Sequence, residues 1–236
     1  MRERGNAVMT GEVNGKEKKE SKVEVAKRNS RHLRGTIAET LAEDVTHFGS
    51  DDVQVLKFHG VYQQDDRDVR HERRKAGQEE AYQFMVRCAI PGGVLTAEQY
   101  LNLDELADRY AHGSLRATSR QGFQFHGVIK SDLKATIAGI NARLLTTLSA
   151  CGDVERNVMA CAAPVADEAH TLLRTFAREV AAQLRPASRA YHEIWLNGEK
   201  TVSTADEEPF YGDRYLPRKF KTGFTLQGDN CIDVYT

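Results

Sequence analysis

Residues 81–149 read AYQFMVRCAIPGGVLTAEQYLNLDELADRYAHGSLRATSRQGFQFHGVIKSDLKATIAGINARLLTTLS, and this stretch decides the fold class. Ala81 to Ile90 alternates as a strand does and stops at Pro91-Gly92-Gly93. Thr96 and Gln99 have the spacing of a capping box, and Tyr100, Leu103, Ala107 and Tyr110 make one face of the helix it opens. Gly113 closes that helix. Leu115 to Ile129 gives two extended pieces with a turn near Gly122. Ser131-Asp132 caps a second helix, with Leu133, Ile137, Ile140, Leu144 and Leu148 as its expected buried stripe. Strand, helix, strand, strand, helix in that order is a ferredoxin-like α+β half-domain, bounded here at 76–152.

Upstream, residues 1–30 are polar, interrupted by Gly5, Gly11 and Gly15, and carry the mixed-charge run Lys16 to Lys22. Such text buries too little apolar area to offset its ordering entropy, so a disordered arm or a short surface helix is expected. It serves as a docking arm or as a passive solvated tail. Residues 31–75 follow, with a helix at 31–48 (Leu33, Ile37, Leu41, Val45), a strand at Val53–Tyr62 and a charge-dense loop from Gln63 to Lys75. Downstream, residues 153–236 begin with an extended run from Asp153 to Ala160. A helix from Asp167 to Leu184 follows, with Leu172, Phe176, Val180 and Leu184 as its stripe. Strands are expected at Ala190–Leu196 and Phe220–Leu226, around a loop at Asp206–Pro209. The alternating run Cys231–Thr236 gives the chain the look of one cut inside a strand.

The 236 residues hold 33 Lys+Arg and 34 Asp+Glu, a formal net charge of -1. A general nucleic-acid binder carries a large positive excess, so that class is set aside, and the Gln63–Lys75 loop is read as salt-laced surface. No apolar run approaches the ~20 residues of a spanning helix, and the first residues lack the apolar core of a secretory signal. A cytoplasmic location is expected. No GxGxxG, GxSxG or HExxH occurs, so dinucleotide-binding and hydrolase readings have no support. Cys88, Cys151, Cys161 and Cys231 form no CxxC. That spacing argues against a self-contained metal site and favours free thiols.

Cations inside strand-like apolar text are the unusual feature. Arg87 lies in Phe84–Ile90, Arg116 and Arg120 in Leu115–Gln121, Arg156 in Gly152–Val158, and Lys219 and Lys221 flank Phe220. At period two, Lys219 and Lys221 share a strand face, as do Arg116 and Thr118. Each is an ordinary charge on the wet face of a sheet, or together they converge on an anion, to which guanidinium and ammonium donors bond strongly. His126 is an acid/base group, a contact to a bound group, or a hydrogen-bonded sheet histidine.

Taken together, Leu33–Glu39, Phe58–Asp68 (FHGVYQQDDRD), Arg87–Gly93 (RCAIPGG), Thr118–Gly127 (TSRQGFQFHG), Arg156–Val158, Glu193–Trp195 and Tyr215–Lys221 (YLPRKFK) resemble the siroheme-containing nitrite/sulfite reductase family, on its assimilatory sulfite-reducing side. The likeness runs from about residue 30 to 227. It implies six-electron reduction of sulfite to sulfide on a siroheme joined to a [4Fe-4S] cluster. Arg87, Arg156, Lys219 and Lys221 would hold the sulfite oxygens and help deliver protons. Arg116, Thr118, Arg120, Gln121, Gln124, His126 and Asn157 would face the cofactor. The Gln63–Asp68 text looks like the NADPH-linked type, fed by a flavoprotein reductase subunit; a ferredoxin-fed sulfite or nitrite reductase is the alternative. The family's cluster cysteines, a C-x5-C and a C-x3-C, have no counterpart here, so they are expected C-terminal to this chain. On that reading residues 153–236 start a siroheme/iron–sulfur domain whose remaining half lies elsewhere. Alone, the chain would be inactive, aggregation-prone, or a non-catalytic docking module.

Overall fold

Alternation along residues 82–87 and 123–128 builds a four-stranded antiparallel sheet in the order β1-β2-β4-β3. The strands are β1 (Val61–Asp65), β2 (Tyr82–Arg87), β3 (Leu115–Ala117) and β4 (Phe123–Val128). The computed structural model describes residues 20–199, 208–229 and 231–233. Its helices are α1 (Lys22–Arg28), α2 (Ile37–Ala42), α3 (Ser50–Phe58), α4 (Arg70–Lys75), α5 (Ala97–Tyr110), α6 (Leu133–Asn141), α7 (Glu168–Gln183) and α8 (Ala190–Trp195). Short 3-10 turns cover Pro91–Gly93 and Lys130–Asp132.

Cross-strand partners point to the same side of a sheet. Val61 opposes Val86, Val86 opposes Phe125 and Phe125 opposes Leu115, so one face is an apolar row. α5 and α6 supply Leu103, Leu106, Ala107, Leu133, Ile137 and Ile140 to the same core. Trp195 and Ile194 of α8 join that core, and so do Leu33, Leu56 and Tyr215. The α5 capping box forms as its sequence requires: Gln99 N donates to Thr96 Oγ1 at 3.1 Å and Thr96 N to Gln99 Oε1 at 3.0 Å. A smaller cluster, Val158, Ala160, Leu173 and Ala177, packs α7 on the extended run after Gly152.

Several expectations are corrected. Val53–Phe58 is helix, with Val55, Leu56 and Phe58 buried, and only Val61 onward is strand. Gly49 starts that helix and Asp51 and Asp52 sit in its first turn, where acids favour the positive helix end. The Gln63–Lys75 segment is not a loop throughout, since it contains the end of β1 and all of α4. Ala190–Trp195 is helix, not strand: Ala190, Tyr191, Ile194 and Trp195 are buried, the i, i+1, i+4, i+5 pattern of a helical face. The α6 stripe ends at Ile140. Leu144 has φ 58° and is 94% exposed, while Leu145 and Leu148 return to the core from a loop. On α7 the stripe is displaced one residue, to Leu173 and Ala177, because small Ala177 admits the Pro91–Gly93 turn; Leu172 and Phe176 are exposed.

Of the two forms expected for the polar arm, its end takes the short helix, though one of its charges is buried. Residues 22–28 are helix, and Lys27 is 1% exposed, its ammonium bonded to Leu216 O at 2.9 Å and paired with Glu24 and with Asp153 at 3.5 Å. Three carbonyl and carboxylate partners make burial of that charge tolerable. The rest of the arm, the Asp206–Glu207 part of the expected loop and the last three residues of the chain lie outside the described residues.

Candidate functional site

The strand register that builds the apolar row also builds its opposite. Arg87 faces Gln124 and Gln124 faces Arg116, so these three side chains share the sheet's other face. A second pairing brings the remaining cations. Phe220 N donates to Val154 O at 3.1 Å, Arg156 N to Phe220 O at 3.1 Å and Met159 N to Thr222 O at 3.1 Å, a short parallel ladder. It sets Arg156 beside Lys219 and Lys221. The outcome is a cleft of about 520 Å³ lined by Arg87, Arg116, Arg120, Arg156, Lys219 and Lys221, with Tyr62, Thr118, Ser119, Gln124 and Asn157 between them. No Asp or Glu is among its lining residues.

Arg87 is held from three sides. Its Nη1 donates to Cys151 Sγ at 2.9 Å. Gln124, with its amide oxygen turned toward the guanidinium, accepts from Nε at 2.9 Å and from Nη2. The Tyr62 ring lies 5.9 Å away, within cation–π reach. In the same orientation the Gln124 amide donates to His126 Nε2 at 3.2 Å. His126 therefore accepts, as a neutral imidazole; burial and the charges of Arg116, His112 and Arg87 all lower its pKa. Arg156 is anchored by Nε to Gly152 O at 2.6 Å. Arg116, Lys219 and Lys221 make no side-chain hydrogen bond or ion pair among the described residues. The charge of Arg218, then burial, Arg156 and Lys221, lowers the Lys219 pKa, and burial lowers that of Arg120. Cations crowded with no carboxylate in the cleft lining store repulsion that a bound anion relieves.

Nine of the eleven sequence-derived residues line this cleft: the four proposed for substrate, with Arg116, Thr118, Arg120, Gln124 and Asn157. Gln121 and His126 stand behind it. Asn157 and Gln121 have spent their amides on backbone. Asn157 accepts from Ile90 N at 2.7 Å and donates to Ile90 O at 2.9 Å and Arg120 O at 2.8 Å. Gln121 donates to Ala160 O at 2.7 Å and accepts from Ala160 N at 3.2 Å. Both fix where the cations stand. Gly122 fits because a Cβ there would come 2.7 Å from Cys88 O. Sequence reading missed Tyr62 and Cys151. Period two with Val61 places Tyr62 on the polar face, a signal present in the text. Cys151 meets Arg87 from 64 residues away and has no local signal.

Residues 76–143 match the family model described as the nitrite/sulfite reductase ferredoxin-like half domain, and residues 177–236 match the nitrite and sulphite reductase 4Fe-4S domain. Among curated proteins, the sulfite reductase [NADPH] hemoprotein beta-component of Xanthomonas campestris pv. campestris (strain B100) is 54% identical over 215 residues, 90% of this chain and 38% of that protein. The protein of the same name from Oceanobacillus iheyensis is 51% identical over 216 residues, 91% of this chain and 38% of the relative. The chain thus spans 38% of the length of the curated relatives it matches. Among solved structures, Mycobacterium tuberculosis NirA protein superposes with a TM-score of 0.60 at 21% identity, over 85% of this chain and 34% of that one, which speaks to the fold. With the half-domain sheet, the cation-lined cleft and these matches in agreement, the chain belongs to the nitrite and sulfite reductase family.

Proposed function

We propose that this chain forms the anion-binding wall of a siroheme-dependent sulfite reductase that carries sulfite to sulfide with six electrons. The observation behind this reading is the convergence of Arg87, Arg156, Lys219 and Lys221 on one cleft whose lining carries no carboxylate. Siroheme fits this wall by charge: its carboxylate rim needs cations, and Arg116 and Arg120 lie in the same cleft with no ion pair consuming Arg116. When bound, that group supplies the iron centre through which electrons reach the substrate. A [4Fe-4S] cluster takes four thiolates. The single convergent group of His, Cys, Asp and Glu donors among the described residues holds two sulfurs, so these residues do not house the cluster.

Within this reading each group has a task set by its chemistry. Arg87 and Arg156 do not give up protons near neutral pH; anchored by Cys151, Gln124 and Gly152, they bind and orient the sulfite oxygens. Lys219 and Lys221 bind oxygen too, and they hold protons that an oxygen needs to leave as water. Arg218 and the cleft cations lower the Lys219 pKa and so ease release of its proton. Thr118 and Gln124 line the cleft with Arg116 and Arg120, on the side that would take the cofactor, while His126 backs Gln124 and Gln121 and Asn157 hold the wall in place. Residues 76–152 form the half-domain and 153–236 the beginning of the siroheme domain. Electrons come from a flavoprotein reductase subunit, supported by the [NADPH] relatives; ferredoxin is the second candidate. No described helix is long and apolar enough to cross a membrane, in keeping with a cytoplasmic enzyme.

The test is calorimetric titration of the chain with sulfite, against nitrite and sulfate as comparison anions. Lys219→Met, Lys221→Met and Arg156→Met are each expected to weaken sulfite by about 10- to 100-fold, the worth of one charge-assisted hydrogen bond. Sulfite binding unchanged in all three would overturn the assignment. Preference for nitrite would move the substrate to the sister activity of the family.

A further inference from the structure

Away from the cleft, Cys161, Asp229 and Cys231 come together with their Sγ, carboxylate oxygen and Sγ all within 4.8 Å of one another. Sequence spacing hides this, since Cys161 and Cys231 are 70 residues apart. The geometry points to a divalent, thiophilic metal site, and we propose that it takes one Zn2+ through Cys161, Cys231 and Asp229.

Three features support a ligand set rather than a chance meeting. The first is donor type: two thiolates and a carboxylate are a zinc-selecting combination, with a fourth position open to water. Size is the second. Zinc–sulfur bonds of about 2.3 Å at the tetrahedral angle put two sulfurs about 3.8 Å apart, so donors lying within 4.8 Å need to close by about 1 Å at most. Cys161 is buried in the run packed under α7 and is fixed, whereas Cys231 is exposed in a turn and can supply the movement. The third is orientation. His170 of α7 bonds Asp229 Oδ2 through Nε2 at 2.9 Å, and its Nδ1 meets Asp167 at 2.8 Å. Cys231 N donates to Asp229 Oδ1 at 3.0 Å. A carboxylate has lone pairs beyond those two bonds, and a ligand carboxylate is commonly steered by this kind of outer hydrogen bond. A bound divalent ion displaces both thiol protons. The ion would tie the turn after Leu226 to the 158–161 run, and so brace the segment that carries Lys219 and Lys221.

The full chain, reduced and stripped of metal, is titrated with Zn2+ against a chromophoric chelator, and with Co2+ as a spectroscopic stand-in. One equivalent per chain and thiolate-to-cobalt charge-transfer bands are expected. Cys161→Ser and Cys231→Ser should each abolish the bands, and His170→Gln should weaken zinc by about 10- to 100-fold. Alkylation of the exposed Cys231, read by mass spectrometry on the unmutated chain, should go to completion without metal and be blocked with it. That measurement decides the matter if a variant fails to fold. No cobalt band with no protection of Cys231, or binding that survives loss of either thiol, overturns the site. So does a Cys161–Cys231 disulfide in chain kept under reductant.

Discussion

Acid should unfold this protein partly through one buried histidine. His59 has no exposed surface. Its Nε2 donates to Leu33 O at 2.7 Å, and its Nδ1 accepts from Trp195 Nε1 at 3.0 Å. Both ring nitrogens are thus satisfied in the neutral tautomer, and a second ring proton would face the indole N–H. Burial holds the His59 pKa down at about 4, against 6.5 when unfolded. Between these values the unfolded chain binds a proton that the folded chain refuses, so stability rises with pH through this window. The contribution is complete above pH 6.5 and gone below pH 4. The full shift is worth about 3 kcal/mol, and most of it, roughly 2–3 kcal/mol, is lost between pH 7 and 4.5. Urea unfolding of the chain across that range measures the slope, and His59→Gln separates this group from the carboxylates that titrate lower. The unmutated protein should lose about 2 kcal/mol more than the variant over the same pH interval. Equal losses in the two proteins would refute the buried-neutral account.

Trp195→Phe keeps an aromatic ring but removes the donor to His59 Nδ1 and leaves part of the buried indole's volume empty, so at least about 1–3 kcal/mol should be lost in urea, the cost of the orphaned buried acceptor with a cavity cost added. Gly60→Ala should cost more than about 2 kcal/mol or prevent folding: Gly60 has φ +80°, and a Cβ would sit 2.3 Å from the Thr147 carbonyl oxygen. Far-UV dichroism and the urea midpoint read that effect. Asn157→Ala frees Ile90 N, Ile90 O and Arg120 O together and should lower stability by about 2–4 kcal/mol.

The residues of the half-domain carry strong local signals. Thr96 and Gln99 bracket one turn, Gly122 sits between two extended pieces, and α5 runs long enough to show its period. Short apolar windows do not. Val53–Phe58 and Ala190–Trp195 each hold too few residues to separate period 2 from period 3.6, and neighbouring packing made both helical. On α7 the text offered two adjacent stripes, and contact of Ala177 with the Pro91–Gly93 turn chose between them.

The same division holds for the sites. Six cations in apolar, strand-like text are a local anomaly, and for Arg87 and Arg116 the side of the sheet follows from the period of two, so candidate donors could be named from residues, while their roles came from the family resemblance. Their convergence could not. It depends on the Arg87–Gln124–Arg116 register and on the pairing of 154–159 with 220–224, contacts made across long stretches of chain. Cys151 beneath Arg87 and the Cys161–Asp229–Cys231 group lie further beyond sequence reading, because nothing near Cys161 records what closes on it from 70 residues away. Residue chemistry and local period are properties of neighbours in sequence; distance between donors is a property of the packed core, and only folding sets it.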